Sequence, residues 1–167
     1  VAEAWRRRRD ASPDGYVHAL VNEGRDAGAS LPHSHSQLVW LPSTPPAVAV
    51  EKALGAGEPV LERDGLAATC PWASRLPYEV QIAPIEPVAD GLRSELLAPA
   101  LRLLAELVRR LHRLEGPVPL NAWLHDGEHW HLELVPRLSI LAGLELGAGV
   151  YVNSLPPEEA AARLRAA

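Results

Sequence analysis

Apolar residues recur along this chain with two different periods, and the periods divide it into helices and strands. Leu97, Leu101, Leu104, Val108 and Leu111 return at helical spacing, which predicts the longest helix over 94–114, with Pro99 bending or delaying its start and Gly116-Pro117 closing it. Tyr78, Val80 and Ile82 alternate with Glu79 and Gln81, the pattern of a strand with one buried and one polar face. A helix over 2–10 ends at the turn cluster Ser12-Pro13-Asp14-Gly15, and a strand follows from Tyr16 to Val21. A tight loop, 23–30, contains Gly24 and Gly28 and leads to a second strand from Gln37 to Leu41. Ser43-Thr44-Pro45-Pro46 suits a helix start with Thr44 as cap, running to Gly55 or Gly57. Asp64-Gly65 between Val60–Arg63 and Leu66–Cys70 predicts a hairpin. Two more strands are expected at Leu120–His125 and His129–Val135, then a short apolar segment, Leu141–Val152, and a last helix opened by Pro156-Pro157-Glu158. Strands joined mostly by hairpins, with a few helices between them, make an α+β fold: one domain over 1–167, an antiparallel sheet with helices packed mainly on one side.

Composition narrows the class. At 167 residues, 47% hydrophobic and 22% charged, the chain can bury a core and lies far from the composition of disordered proteins. A net charge of −5 argues against nucleic acid as a partner, because such proteins neutralise phosphates over a broad basic face. No run approaches the roughly 20 apolar residues that span a bilayer, and no signal-like stretch opens the chain, so a cytoplasmic protein with no membrane partner is expected. Cys70 is the single cysteine, which leaves no internal disulfide and no cysteine-pair zinc site. The absence of methionine leads to the expectation that the chain begins inside a longer reading frame.

Five of the seven histidines fall in two short stretches. In the first, His33-Ser34-His35-Ser36-Gln37, an extended backbone puts His33, His35 and Gln37 on one face. A neutral imidazole there can be a nucleophile or a metal ligand. Gly24 and Gly28 let backbone N–H groups approach an anion, and Ser30 adds a hydroxyl. The plainer alternative is a loop with two surface histidines. In the second, His125-Asp126-Gly127-Glu128-His129-Trp130-His131-Leu132-Glu133, a strand presents His129, His131 and Glu133 on one face and Trp130, Leu132 and Leu134 on the other. With His125 across a tight turn, these side chains can converge on a divalent cation such as zinc or iron. The alternative is a polar strand face bonded to water. Arg6–Arg9 read as a solvated helix face, Cys70 as a small buried residue, His18 as structural, His112 as exposed, and Trp5, Trp40 and Trp72 as core or interface anchors.

Together these motifs resemble the C-terminal half of the galactose-1-phosphate uridylyltransferase family, including its ADP-glucose phosphorylase-like members, within the histidine-triad superfamily. The resemblance runs through Ala4-Trp5-Arg6-Arg7-Arg8, Asn22-Glu23-Gly24, Ala27-Gly28-Ala29-Ser30, His33-Ser34-His35-Ser36-Gln37, Ala73-Ser74-Arg75-Leu76-Pro77-Tyr78-Glu79-Val80, His129-Trp130-His131-Leu132-Glu133 and Ala142-Gly143-Leu144-Glu145. It implies a histidine-triad-like sheet and a nucleotidyltransferase, of the UDP-glucose–hexose-1-phosphate uridylyltransferase kind, acting in galactose and carbohydrate metabolism. A nucleoside monophosphate would pass from a nucleotide sugar to a sugar 1-phosphate, or to phosphate, by way of a covalent nucleotidyl-histidine on His35, with Gln37 bonding the transferring phosphoryl group. Asn22, Gly28 and Ser30 match positions that hold the nucleotide phosphates, and Glu145 matches a carboxylate that contacts sugar hydroxyls. His33 matches a ligand of a zinc site whose other ligands lie in the family's first half. Glu51, His125, His131 and Glu133 match a second metal site, for zinc or iron, where many relatives have a histidine at the Glu133 position, and His129 is a spare candidate. The resemblance also implies a homodimer. Ser34 stands where the classical transferases have proline and points to the phosphorylase-like branch, while Leu144 stands where they often have an aromatic residue. Two other readings are a histidine-triad nucleotide phosphorylase or hydrolase, and a non-catalytic metal- or nucleotide-binding module.

Overall fold

A computed structural model describes residues 1–50 and 56–167 of the chain. The elements run α1 (Ala2–Asp10), β1 (Tyr16–Glu23), a 3₁₀ turn (Arg25–Ala27), β2 (Ser36–Leu41), α2 (Pro46–Ala49), β3 (Gly57–Arg63), β4 (Leu66–Pro71), β5 (Val80–Pro84), α3 (Leu97–Glu115), β6 (Leu120–His125), β7 (His131–Pro136), α4 (Gly143–Ala148) and α5 (Pro157–Ala166). The strands form one sheet in the order β2-β1-β6-β7-β5-β4-β3, and each neighbouring pair is antiparallel.

The two faces of the sheet carry different chemistry. Val17 and Ala19 of β1, Leu120 and Leu124 of β6, Leu132 and Leu134 of β7, Val80 and Ile82 of β5, and Leu66 and Ala68 of β4 join a core with Leu97, Ala100, Leu103, Leu107 and Leu111 of α3. Trp5 of α1 and Ala160, Ala161 and Leu164 of α5 complete it. The expected arrangement is therefore present, with the apolar stripes of α1, α3 and α5 against one face of an antiparallel sheet.

Side chains one position along each strand point the other way. Cross-strand partners share a face, so the register defines a row across the side away from α1, α3 and α5: Gln37, Leu20, Trp123, Glu133, Gln81, Thr69. Parallel rows hold Asn22 with Asn121, and His125 with His131. The chemistry-bearing residues of both histidine stretches are thus carried by one face.

Local signals account for most boundaries. Asp64 and Gly65 have φ of 54° and 77°, the left-handed pair that a two-residue hairpin needs. Gly116 ends α3 at φ 76°. Three expectations change. The cap of α2 is Pro45, with no side-chain cap bond, and the helix closes at Val50, because two prolines preset the entry and leave Thr44 outside it. β7 begins at His131, since Glu128 and His129 are used in the turn from β6. Glu79, on the expected polar face, is 4% exposed, and its carboxylate is paired with Arg75. His112 is half-buried, with Nε2 enclosed and unbonded among the described residues. Trp5 lies in the core, whereas Trp40 and Trp72 are exposed.

Candidate active site and metal centre

His35 immediately precedes β2. Its Nδ1 lies 3.0 Å from the His33 carbonyl oxygen. A carbonyl only accepts, so Nδ1 carries the hydrogen and Nε2 of the neutral ring is left with a lone pair. The Gln37 Nε2 amide, 3.2 Å away, donates to that lone pair. The ring is thereby fixed in the tautomer that a nucleophile requires, aimed by one backbone carbonyl and one neutral amide. The His33 ring meets His35 edge-on at 5.8 Å between centroids.

The glycine loop behaves differently from its expected role. Ala27 and Ala29 donate to the Gly24 carbonyl, and Gly28 donates to that of Arg25, so three amides are spent within the turn instead of facing an anion. Gly28 is glycine for its φ of 80°, since an added Cβ would meet nothing within 4 Å. Asn22 is held by Asn121, whose Nδ2 donates to Asn22 Oδ1 at 2.7 Å and to the Ala27 carbonyl at 2.9 Å. Ser30, His33 and Ser34 line a cavity of about 420 Å³ together with Arg25 and Glu23.

His125, His131 and Glu133 form the second centre, with one ligand atom from each lying within 4.8 Å of the others. His131 repeats the device seen at His35: its Nδ1 lies 3.1 Å from the His129 carbonyl, and Nε2 lies 3.3 Å from Glu133 Oε1. A carbonyl and a carboxylate are both acceptors, so the second contact is favourable only with a proton or a cation between nitrogen and oxygen. His125 Nδ1 stands 3.8 Å from the same Oε1, and its ring meets that of His131 at 5.0 Å. Two imidazoles and a carboxylate oxygen converging on one point are a donor set that can bind a divalent metal. Burial alone would raise the Glu133 carboxyl. The His131 hydrogen bond, the Arg75 guanidinium and His125 outweigh it and bring the group down to about 2, keeping it ionised.

The other expected residues fall as follows. His33 is outside the one cluster of three or more metal-type ligands found among the described residues, so a zinc site on it would draw its other ligands from elsewhere. The His129 ring is likewise outside that cluster. Glu51 lies outside the described residues. Glu145 sits in α4, where its carboxylate accepts the Ala142 N–H at 2.8 Å; hydrogen bonds from backbone amides lower its pKa. His18 faces away from α1, α3 and α5, stacked on Tyr16 at 6.3 Å, and burial and then His125 lower its pKa. No helix among the described residues is long and apolar enough to cross a membrane.

No family model matches the chain. It is 29% identical to ADP-glucose phosphorylase of Arabidopsis thaliana over 185 aligned positions, covering 90% of this chain and 51% of that protein. It is 27% identical to galactose-1-phosphate uridylyltransferase of Thermotoga maritima over 208 positions, covering 99% of this chain and 65% of the relative. The crystal structure of the Arabidopsis ADP-glucose phosphorylase with bound ADP-glucose superposes with a TM-score of 0.88 at 26% identity, covering 99% of this chain and 64% of that one. The chain resembles the galactose-1-phosphate uridylyltransferase family. A zinc-bound histidine triad protein from Mycobacterium smegmatis, 18% identical with a TM-score of 0.51 over 67% of this chain and 84% of its own, shares the fold. The chain spans about half to two thirds of the length of the uridylyltransferases and phosphorylase it matches.

Within this uridylyltransferase-like frame, reasoning from sequence passed over Asn121, Arg25 and the pair Arg75 and Glu79. Arg75 and Glu79 carry an i, i+4 charge signal inside a quoted motif, and Asn121 stands in a predicted strand beside His125. Arg25 carries no local signal beyond its charge.

Proposed function

We propose that the chain is the histidine-bearing part of a nucleotidyltransferase that moves a nucleoside monophosphate between a nucleotide sugar and a sugar 1-phosphate or inorganic phosphate. The observation that carries this reading is the His35 ring, whose Nε2 lone pair is presented by the His33 carbonyl and guarded by the Gln37 amide. Its relatives are named for chemistry on ADP-glucose and galactose 1-phosphate, and one is solved with ADP-glucose bound.

In the first half-reaction Nε2 attacks the α-phosphorus of the nucleotide sugar. The N–P bond forms as the bond to the bridging oxygen breaks, and sugar 1-phosphate leaves with that electron pair. The Gln37 amide gives up the lone pair it held and turns to a non-bridging oxygen, where it stabilises charge as a neutral donor. In the second half-reaction an oxygen of the acceptor phosphate attacks the same phosphorus and the imidazole departs with its lone pair restored. Asn22, held by Asn121, and Ser30, which lines one cavity with Arg25, would bind the phosphates.

His125, His131 and Glu133 would hold a zinc or iron ion, with His33 contributing to a separate zinc site. Gln37 and Glu133 are three strands apart in one row, about 14 Å at the usual strand spacing, so an ion there would tie strands together without touching the transferring phosphate. Glu145 would meet the sugar hydroxyls, and a homodimer belongs to the same reading, tested by its mass in sedimentation.

The decisive experiment is intact mass after incubation with ADP-glucose and, separately, UDP-glucose, beside His35→Asn. A nucleotidyl-sized increase in the wild type alone is expected and identifies the base. No increase with either donor, or an equal one in His35→Asn, would overturn the assignment.

A further inference from the structure

Glu133 is buried, and its two oxygens face different partners. Oε1 faces the imidazoles of His131 and His125 at 3.3 and 3.8 Å. Oε2 accepts from Arg75 Nη2 at 2.6 Å. Arg75 is itself fixed by Glu79, whose Oε1 accepts from Nε at 3.0 Å and from Nη2 at 2.8 Å. The other Glu79 oxygen accepts the backbone N–H groups of Arg75 and Leu76 at 2.7 and 3.3 Å. The guanidinium also lies 5.8 Å over the Trp123 ring, which neighbours Glu133 in the row across the sheet. Arg75 is therefore held between two carboxylates, Glu79 and Glu133, beside the Trp123 ring.

We propose that Arg75 is the positioning residue of this centre: it holds Glu133 Oε2 so that Oε1 alone is presented to a divalent cation, and Glu79 cancels its charge so that Glu133 keeps its own. The inference rests on the metal reading of the His125–His131–Glu133 cluster. Left to itself, a carboxylate can bind a cation through both oxygens or rotate away from it. The planar fork of an arginine already gripped by Glu79 removes both options. Hydrogen-bonded partners of metal ligands commonly set ligand orientation, and their loss costs 10- to 100-fold in affinity. Lysine cannot reproduce the role, because a single ammonium does not grip two carboxylates in one plane.

The test uses metal-free protein titrated with Zn²⁺ and with Co²⁺, whose visible absorption reports ligand geometry. Wild type is expected to bind one equivalent. Arg75→Gln should lose roughly 10- to 100-fold in Zn²⁺ affinity with a changed Co²⁺ spectrum, and Arg75→Lys should recover only part of either. Should Arg75→Gln fail to fold, Arg75→Lys and Glu79→Gln carry the same comparison, since both retain the cation beside Glu133. A merely structural arginine would lower thermal stability with and without metal and leave the Co²⁺ spectrum unchanged, and that result overturns the proposal. Tight binding to wild type, lost in Glu133→Gln but equal in the folded Arg75 variants, refutes the arginine's role alone. Failure of wild type to bind either ion refutes the metal centre and this inference together.

Discussion

Gly91→Ala isolates the packing that positions the second histidine stretch. Gly91 is buried, and its N–H donates to Asp126 Oδ1 at 2.6 Å. A Cβ added there would lie 2.7 Å from Trp130 Cγ, 2.8 Å from Cδ2 and 2.9 Å from Cβ, while ordinary contact begins near 3.4 Å. Trp130 must therefore retreat by about half an ångström or more. It has nowhere to go, because it is fully buried among Leu92, Leu132 and the rest of the core, and its own Cβ, the rigid root of the side chain, is one of the clashing atoms. Overpacking of this kind costs about 1–3 kcal/mol. For a chain of this size each kcal/mol lowers Tm by about 2–4 °C, so a fall of roughly 2–12 °C is expected in a calorimetric or circular-dichroism melt. Gly147→Ala is the matched control: the same methyl in α4, with nothing within 4 Å, should leave Tm unchanged or slightly raised. Equal melting of Gly91→Ala and wild type would refute the argument, since it would mean that the loop before α3 can yield without disturbing Trp130.

Three further outcomes follow from burial and hydrogen bonding. Burial pushes the Cys70 thiol up to about 12, against a smaller opposing effect of Arg165, so a thiol reagent at pH 8 should label the protein only once denaturant is added. Because the folded value lies above the ordinary 9.0, the unfolded thiol ionises first and stability should decline as pH rises beyond 9; a Cys70→Ala variant showing the same alkaline decline would count against this. Asn121→Ala removes the bonds to Asn22 Oδ1 and the Ala27 carbonyl and should lower urea stability by about 1–2 kcal/mol. An unchanged urea midpoint would show that neither bond contributes.

The fold was legible wherever local chemistry and tertiary packing agree. The leucine ladder of α3, the Asp64-Gly65 hairpin and the prolines opening α5 each state their structure within a few residues. Thr44 misled because cap chemistry competes with proline geometry, and the φ of Pro45 decided the entry of α2. Period-2 alternation assigns Glu79 to a polar face but not its cover, and the cover is Arg75, an ion pair closed across a turn. Both histidine stretches were visible as spacing. The Arg75–Glu133 contact spans 58 positions and exists only because β5 lies between β4 and β7, an order that periodicity does not contain. The amides of Ala27, Gly28 and Ala29 look free in sequence and are consumed within the loop itself, a matter of backbone path that composition leaves open.

The two histidine stretches share one hydrogen-bonding device. His33-Ser34-His35-Ser36-Gln37 and His129-Trp130-His131-Leu132-Glu133 share the pattern His-x-His-x-Gln/Glu. In each, the middle histidine turns Nδ1 to the carbonyl two residues before it and Nε2 to the side chain two residues after it. Gln37 and Glu133 even occupy the same row of the sheet. The final residue decides the chemistry. An amide donates to the Nε2 lone pair, satisfies it without a proton, and can release it to an electrophile. A carboxylate can only accept, so the same lone pair beside it calls for a cation. On the proposed reading, a single difference in hydrogen-bond polarity, amide against carboxylate, would separate a nucleophile from a metal ligand on one face of one sheet.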